Sequence, residues 1–119
     1  MAVGDVFYPA PAQLEVPVAL TELYEITAGR TALQLTIIVC NFTIFDTGYD
    51  LKVRPAGEAT ANKHFWRASK TALNGKLRGG NTEVWRLHIR PGSEWVVESA
   101  AETVNAISIT FSPAEMENA

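Results

Sequence analysis

The sequence predicts an all-β fold, a single antiparallel β-sandwich of seven to eight strands. Three observations point there. Apolar residues recur at every second position in several short runs, as in Leu33-Leu35-Ile37-Val39 and Ile107-Ile109-Phe111, and successive side chains of a strand face opposite ways. Turn formers punctuate the chain at intervals of about 8–12 residues, the spacing of a sandwich or barrel. No segment keeps an apolar 3.6-residue period over about 12 residues, so no amphipathic helix competes. Strands of this length serve a jelly roll and an immunoglobulin-like sandwich equally, and the strand order stays open between them.

In chain order, residues 1–13 carry Pro9 and Pro11 just after Phe7 and Tyr8. Proline disrupts helix and ladder alike, so this stretch reads as an extended N-terminal arm outside the core. The sandwich proper is read over 14–111. Leu14, Val16 and Val18 share one side of a strand that Pro17 assigns to a sheet edge, and Leu23–Ile26 forms a second short strand. Thr27-Ala28-Gly29-Arg30 is a turn. Thr31–Cys40 is the clearest core strand, with Leu33, Leu35, Ile37 and Val39 inward and Ile38 and Cys40 on the other face. Asn41–Gly48 is a loop shaped by Asp46 and Gly48. Its Asn41-Phe42-Thr43 matches a glycosylation acceptor in form only, because an unexported chain is not modified there.

Tyr49–Arg54 is the next strand, with Leu51 and Val53 inward, and Ala61–Arg67 another. Residues 69–80 form a glycine- and lysine-rich loop. Thr82–Arg90 alternates Trp85, Leu87 and Ile89 with Arg86, His88 and Arg90, giving one apolar and one cationic face. Pro91-Gly92-Ser93 then turns the chain into Glu94–Glu98, which predicts a β-hairpin. Thr103–Phe111 closes the domain, and 112–119 reads as a short acidic C-terminal tail.

A chain of 119 residues, 47% hydrophobic and 19% charged, fits one globular domain with a core large enough to need neither disulfide nor metal. Cys40 is its only cysteine, which excludes an internal disulfide and reads as a small buried hydrophobe. No basic segment followed by an apolar core opens the chain, and no apolar run approaches about 18 residues. The expectation is a protein made and used without export, with no membrane partner.

The net charge of −3 is unevenly spread. Residues 52–90 hold nine of the ten bases against Glu58 and Glu83, while 1–51 and 91–119 each carry a balance of −5. Such asymmetry can mark a nucleic-acid surface, with Lys52, Arg54, Arg86 and Arg90 as phosphate contacts. The simpler reading sets basic strands beside acidic ones in one sheet. It also suits contacts between copies, acidic edge against basic face. We therefore expect no nucleic-acid partner.

A search for chemistry yields no catalytic, metal or cofactor residues. His64 and His88 are the only groups that titrate near neutrality unperturbed, and both read as surface or interface residues. Two histidines and one cysteine without ligand spacing do not compose a zinc site. No serine lies in a nucleophile elbow, and Cys40 lacks the local signature of a nucleophile. Arg78-Gly79-Gly80-Asn81 lacks the lysine and helix of a phosphate loop. Trp85 and Trp95 read as core. Trp66 beside Arg67 has the composition of an interface anchor.

The order of motifs resembles a family. Leu23-Tyr24-Glu25-Ile26-Thr27-Ala28-Gly29-Arg30-Thr31-Ala32 is similar to the leu-tyr-x-val-pro-ala-gly-lys-thr-ala opening of small β-sandwich virion proteins of tailed bacteriophages and prophages. Ile37-Ile38-Val39-Cys40-Asn41 resembles their next strand, Val53-Arg54-Pro55-Ala56-Gly57 a strand end, and Lys63-His64 the pair that follows. Thr27 stands where the family has proline, and Arg90-Pro91-Gly92-Ser93 where it has a gly-asp turn. The resemblance covers residues 20–111. It implies a non-enzymatic virion structural protein, within which we favour a capsid decoration, or cement, protein. Such a protein, assembled in the bacterial cytoplasm, binds the major capsid protein on the outer head surface and meets copies of itself as a trimer or dimer.

The candidate interface residues are Phe7 and Tyr8 on the arm, which would extend a neighbour's sheet edge, with Trp66, Arg67, Arg86 and Arg90. The alternative is a tail, neck or fibre-attachment subunit, or a module that binds host glycans through Trp66 and Asn62.

Overall fold

The computed structural model describes residues 6–7, 12–25, 30–70, 75–88 and 94–117. Among them are nine strands and one 3-10 turn: β1 Val6–Phe7, β2 Ala12–Glu15, β3 Thr21–Glu25, β4 Arg30–Asn41, β5 Tyr49–Pro55, the turn Asn62–His64, β6 Phe65–Ala68, β7 Thr82–His88, β8 Trp95–Ala101 and β9 Ile107–Glu117. They form two antiparallel sheets. The first runs β1-β9-β4-β7, with β2 also on β9, and the second runs β3-β8-β5-β6. With β1 and β2 taken as one ribbon, the orders are first-eighth-third-sixth and second-seventh-fourth-fifth. That is the jelly-roll arrangement, which closes the choice left open by strand length.

The core lies between the sheets. Leu35, Ile37 and Val39 of β4, Leu51 of β5 and Ile107, Ile109 and Phe111 of β9 have no exposed surface, and each such side chain contributes about 1.5–3 kcal/mol by leaving water. Trp66, Trp85, Trp95, Tyr24 and Leu23 pack around this centre half-buried. A polar clamp joins the sheets at one side. The buried Tyr49 hydroxyl of β5 donates to Glu83 Oε1 of β7 at 3.0 Å and accepts from Trp85 Nε1 at 2.9 Å. Arg67 donates to the other Glu83 oxygen at 3.2 Å and lies 5.1 Å from the centre of the Tyr49 ring. Burial, more than the carboxylate beside it, raises the Tyr49 pKa above its ordinary value, so the hydroxyl keeps its proton.

Several expectations change. β7 and β8 are not a hairpin, because β7 pairs with β4 in one sheet and β8 with β3 and β5 in the other. Alternation and a Pro-Gly turn describe a strand that reverses equally well when it crosses between sheets. Ile89 to Ser93 lie outside the described residues. The stretch 112–117, read as tail, continues β9 alongside β4. Pro113 is tolerated there, between the segments of β9 that β2 and β1 pair with, beside a bulge of β4 between Ala32 and Gln34. Part of the N-terminal arm is sheet: Val6 and Phe7 pair with Met116 and Glu115, and Ala12 and Gln13 with Phe111 and Thr110. On β2 and beyond, Val16 alone is buried, while Leu14 and Val18 are exposed. The strand expected over 61–67 begins as the 3-10 turn and becomes β6 only at Phe65. Cys40 is half-buried on the outer face of β4, between Thr82 and Ser108.

Charge patterning resolves as neighbouring strands of opposite sign. Arg54 of β5 donates to Glu98 of β8 at 2.8 Å and to Glu22 of β3 at 2.6 Å. Its hydrogen bond to Glu98, above all, raises its pKa further. The segment after β5 covers this outer face: Arg54 also donates to the Glu58 carbonyl at 2.8 Å, and Lys52 to Thr60 Oγ1 at 3.1 Å.

Candidate functional site

The jelly-roll order gathers four connections at one end of the sandwich: 16–20, 42–48, 69–81 (of which 71–74 lie outside the described residues) and 102–106. Backbone hydrogen bonds lace them together. Ala101 donates to Pro17 at 2.8 Å, Glu102 to Gly48 at 2.9 Å, Phe42 to Ala106 at 3.2 Å, and Thr47 and Leu77 exchange a pair at 2.9 and 3.0 Å. Lys76 donates to Glu102 Oε1 at 2.6 Å, and chiefly this bond holds the Glu102 carboxyl below the usual carboxylate range. Gly48 is required here, since a Cβ would stand 1.7 Å from the Ser69 carbonyl oxygen.

This end is where apolar surface faces water. Ile44 is 87% exposed, Phe45 71%, Val104 64% and Phe42 49%, with Val18 and Leu20 exposed beside β3. Of the eight large hydrophobics exposed among the described residues, six lie on these connections, and Leu14 and Val84 lie on the strands next to them. Scattered single hydrophobics are ordinary on a surface; a set gathered on one end marks a binding surface.

The protruding loop is held from below. Asn41 has no exposed surface. Its Nδ2 donates to the carbonyls of Phe45 at 2.7 Å and Leu77 at 2.9 Å, and its Oδ1 accepts from the Thr43 amide at 3.0 Å and hydroxyl at 2.7 Å. An asparagine that accepts from the amide two residues on makes a local turn of its own. Gly79 lies under the tip, and a Cβ there would meet the Ile44 carbonyl carbon at 2.6 Å. The Thr43 amide and hydroxyl and the Phe45 amide and carbonyl are bonded within the loop, and the loop presents Phe42, Ile44 and Phe45 outward beside the exposed Asp46. A rigid apolar tip loses little conformational freedom on docking. The buried, fully bonded Asn41 amide is also closed to glycosylation.

Of the expected interface residues, Trp66 is half-buried against the core, its ring centre 6.1 Å from that of Trp85. Arg67 is engaged within the chain by Glu83, Ser69 and the Gly75 carbonyl. Arg86 is exposed on the outer face of β7. Phe7 lies in β1 against the chain's own β9, and Tyr8 and Arg90 lie outside the described residues. Of the four that are described, Phe7 on β1 and Arg86 on β7 lie at opposite edges of one sheet and Trp66 and Arg67 on β6 of the other, so these four form no single patch. Lys52 and Arg54, weighed as phosphate contacts, are buried and paired. Asn62, weighed with Trp66 for glycans, is exposed in the 3-10 turn.

His88 is exposed at the end of β7. His64 is buried, its Nδ1 accepting from the Ala61 amide at 3.0 Å and its Nε2 3.6 Å from Glu58 Oε1. No group of three or more His, Cys, Asp or Glu that could hold a metal occurs among the described residues.

The tip was missed by sequence reasoning, although a signal existed. Phe42-Thr43-Ile44-Phe45 places three large apolar side chains in a segment whose neighbours specify a loop. That breaks the rule that loops are polar, and such breaks concentrate at functional sites. Comparison of the chain with protein-family models, with curated proteins and with solved structures finds no match in any of the three.

Proposed function

We propose that this protein is a non-enzymatic virion structural protein of a tailed bacteriophage, a capsid decoration protein that docks on the outer head lattice through its apolar loop end. The observation that carries the proposal is the preorganised tip of Phe42, Ile44 and Phe45. Its chemistry is that of a protein-docking element, in which a few apolar side chains enter a partner's pocket and carry most of the binding energy. Among the described residues the flanks of the tip are mixed in charge, with the exposed Asp46 and Arg78 beside a Lys76 paired to Glu102, whereas an anionic bilayer recruits a cluster of cations. Two further points support the reading. The jelly roll recurs in viral structural proteins, an argument by analogy of fold. The motifs from Leu23 to Ser93 resemble those of phage virion sandwiches. Residues 6–7 extend the chain's own sheet, so the tip, and not Phe7 and Tyr8, is the docking element proposed.

The test is sedimentation of the purified protein with expanded heads and, separately, with tails of its source phage. Saturable pelleting with heads, at a fixed number of copies per head, is the expected result. Pelleting with tails alone, or with neither particle, overturns the proposal.

A further inference from the structure

The segment between β5 and β6 lies over the outer face of its own sheet and is tied to it by two cations. Arg54 donates to the Glu58 carbonyl at 2.8 Å and Lys52 to Thr60 Oγ1 at 3.1 Å, and both cations are buried. One residue closes the far end of the segment. His64, only 6% exposed, holds Ala61 twice: the His64 amide donates to the Ala61 carbonyl at 3.2 Å, and the Ala61 amide donates to His64 Nδ1 at 3.0 Å. The second bond is the returning half of a capping box, where a glutamate or glutamine normally supplies the acceptor. Here the acceptor is an imidazole, and an imidazole loses its acceptor when it takes a proton.

We propose that the His64–Ala61 clasp is a pH-sensitive latch, which holds segment 56–61 down over Lys52 and Arg54 while the imidazole is neutral and releases it when His64 is protonated. The tautomer follows from the bond: Nδ1 accepts from Ala61, so the single proton of the neutral ring sits on Nε2. An imidazolium carries a proton on both nitrogens. The Ala61 amide would then meet Nδ1 as donor against donor, so the clasp and the charge exclude each other. The clasped state binds one proton fewer than the released state, and a falling pH therefore favours release. Imidazole is the side chain whose ordinary titration lies within about pH 5–8, so the latch works near neutrality, which a glutamine in its place could not do.

The charged ring has a partner waiting. Among the described residues His64 Nε2 is the one buried side-chain polar atom without a hydrogen bond. Glu58 Oε1 stands 3.6 Å from it, beyond hydrogen-bond reach, and is bonded to Lys63 at 2.8 Å. That bond to Lys63, above all, holds the Glu58 carboxyl below its ordinary range, so Glu58 is an anion wherever imidazole titrates and can accept from the charged Nε2. The other charged groups about the turn are Lys52 and Arg54 of β5, on which it packs, with Glu98 of β8 and Glu22 of β3 both bonded to Arg54. On β6, Phe65 lies 4.4 Å from Lys52 Nζ, and Arg67 is engaged by Glu83. Thr60 and Glu58, which hold the two β5 cations, belong to the segment that Ala61 ends. Letting go of Ala61 therefore loosens the cover of the row Glu22, Glu98, Lys52 and Arg54. The latch lies on the β3-β8-β5-β6 sheet and does not rest on the docking proposal.

The experiment is nuclear magnetic resonance on the full chain without capsids, from about pH 8 to about pH 5. It reads the nitrogen-15 shifts of the His64 ring and the hydrogen-exchange protection of the Ala61 amide, taken relative to the intrinsic exchange rate at each pH. At the upper pH the ring proton should sit on Nε2 and Ala61 should be protected. At the lower pH that protection should fall at least about tenfold, in step with the His64 shifts. His64→Asn sets an amide oxygen near the place of Nδ1 and does not titrate, so its Ala61 protection should stay level across the range. His64→Phe has no acceptor and should leave Ala61 unprotected at both ends. His88→Gln, at an exposed position on β7, should keep the parent's pH dependence. A parent whose Ala61 protection is the same at both pH values, a ring proton on Nδ1 at the upper pH, or a His64→Asn variant with the parent's pH dependence overturns the proposal. The parent's own two readings decide the point even where a variant fails to fold.

Discussion

Replacing Asn41 by alanine removes the anchor of the tip and leaves the strand beneath it in place. Four hydrogen bonds are lost, two donated by Nδ2 and two accepted by Oδ1. Not all of them leave orphans. The Leu77 carbonyl still accepts from the Thr47 amide, and the Thr43 hydroxyl, released from Oδ1, can turn its one proton to the Phe45 carbonyl 3.1 Å away. The Thr43 amide does lose its acceptor, and a buried amide-sized gap remains. At about 1 kcal/mol net per hydrogen bond, the loss is roughly 2–4 kcal/mol. An unfolding entropy of about 2.1 cal/mol/K per residue gives about 4 °C of melting temperature per kcal/mol for a domain of this size. The variant should therefore melt about 8–16 °C below the parent. Asn41→Asp, which keeps Oδ1 but turns an acceptor toward the Phe45 and Leu77 carbonyls, should melt no higher than the alanine variant at neutral pH. Calorimetry measures both, and hydrogen exchange at the Thr43 and Phe45 amides reports whether the loop loosens. A fall of less than about 4 °C, with exchange at those amides unchanged, would refute the claim that Asn41 holds the tip.

Three further outcomes follow from the packing. Tyr49→Phe deletes a hydroxyl that joins the two sheets and leaves the Trp85 indole N–H without its acceptor, so denaturant unfolding should show a loss of about 2 kcal/mol; a loss under about 0.5 kcal/mol contradicts the clamp. Gly79→Ala drives a Cβ against the Ile44 carbonyl, so it should lower stability by about 1–3 kcal/mol and shift the tip amides in a nuclear magnetic resonance spectrum; an unchanged spectrum contradicts the brace. The Glu102 carboxyl is held below its ordinary range chiefly by Lys76, so its contribution to stability is present above the unfolded-state carboxylate pKa and is lost as pH falls through the lower, folded value. Lys76→Met should accordingly lower the melting temperature near pH 6 and narrow its gap to the parent in strong acid; a gap independent of pH contradicts the pairing.

Alternation alone was enough to identify the inward rows Leu35-Ile37-Val39, Leu51-Val53 and Ile107-Ile109-Phe111, because period two with one buried face leaves a single solution. It did not identify partners. A strand such as Thr82–His88 carries the same pattern whether the next strand lies beside it or across the core, and only the global order separates the two. The stretch 112–117 reads as an acidic tail by composition, and that it continues β9 with Pro113 in the ladder depends on what pairs with the edges of β9, which is a long-range fact. The burial of Lys52 and Arg54 was equally hidden, since it depends on a segment folding back to supply Glu58 and Thr60. Trp66 and Arg67 look like an anchor in one dimension, and become packing and clamp residues once Trp85 and Glu83 are brought alongside. The tip was written in Phe42, Ile44 and Phe45, but its meaning needed Asn41 and Gly79 beneath it.

The central claim is that the loop end docks the protein on a capsid, and the most direct measurement compares head binding of the parent with that of the Ile44→Ser/Phe45→Ser double variant. Burial of two such side chains is worth about 1.5–3 kcal/mol each. The account predicts roughly 100- to 10,000-fold weaker binding for a variant whose melting temperature matches the parent's, because both side chains face solvent in the free protein. A folded double variant that binds heads as tightly as the parent would contradict it.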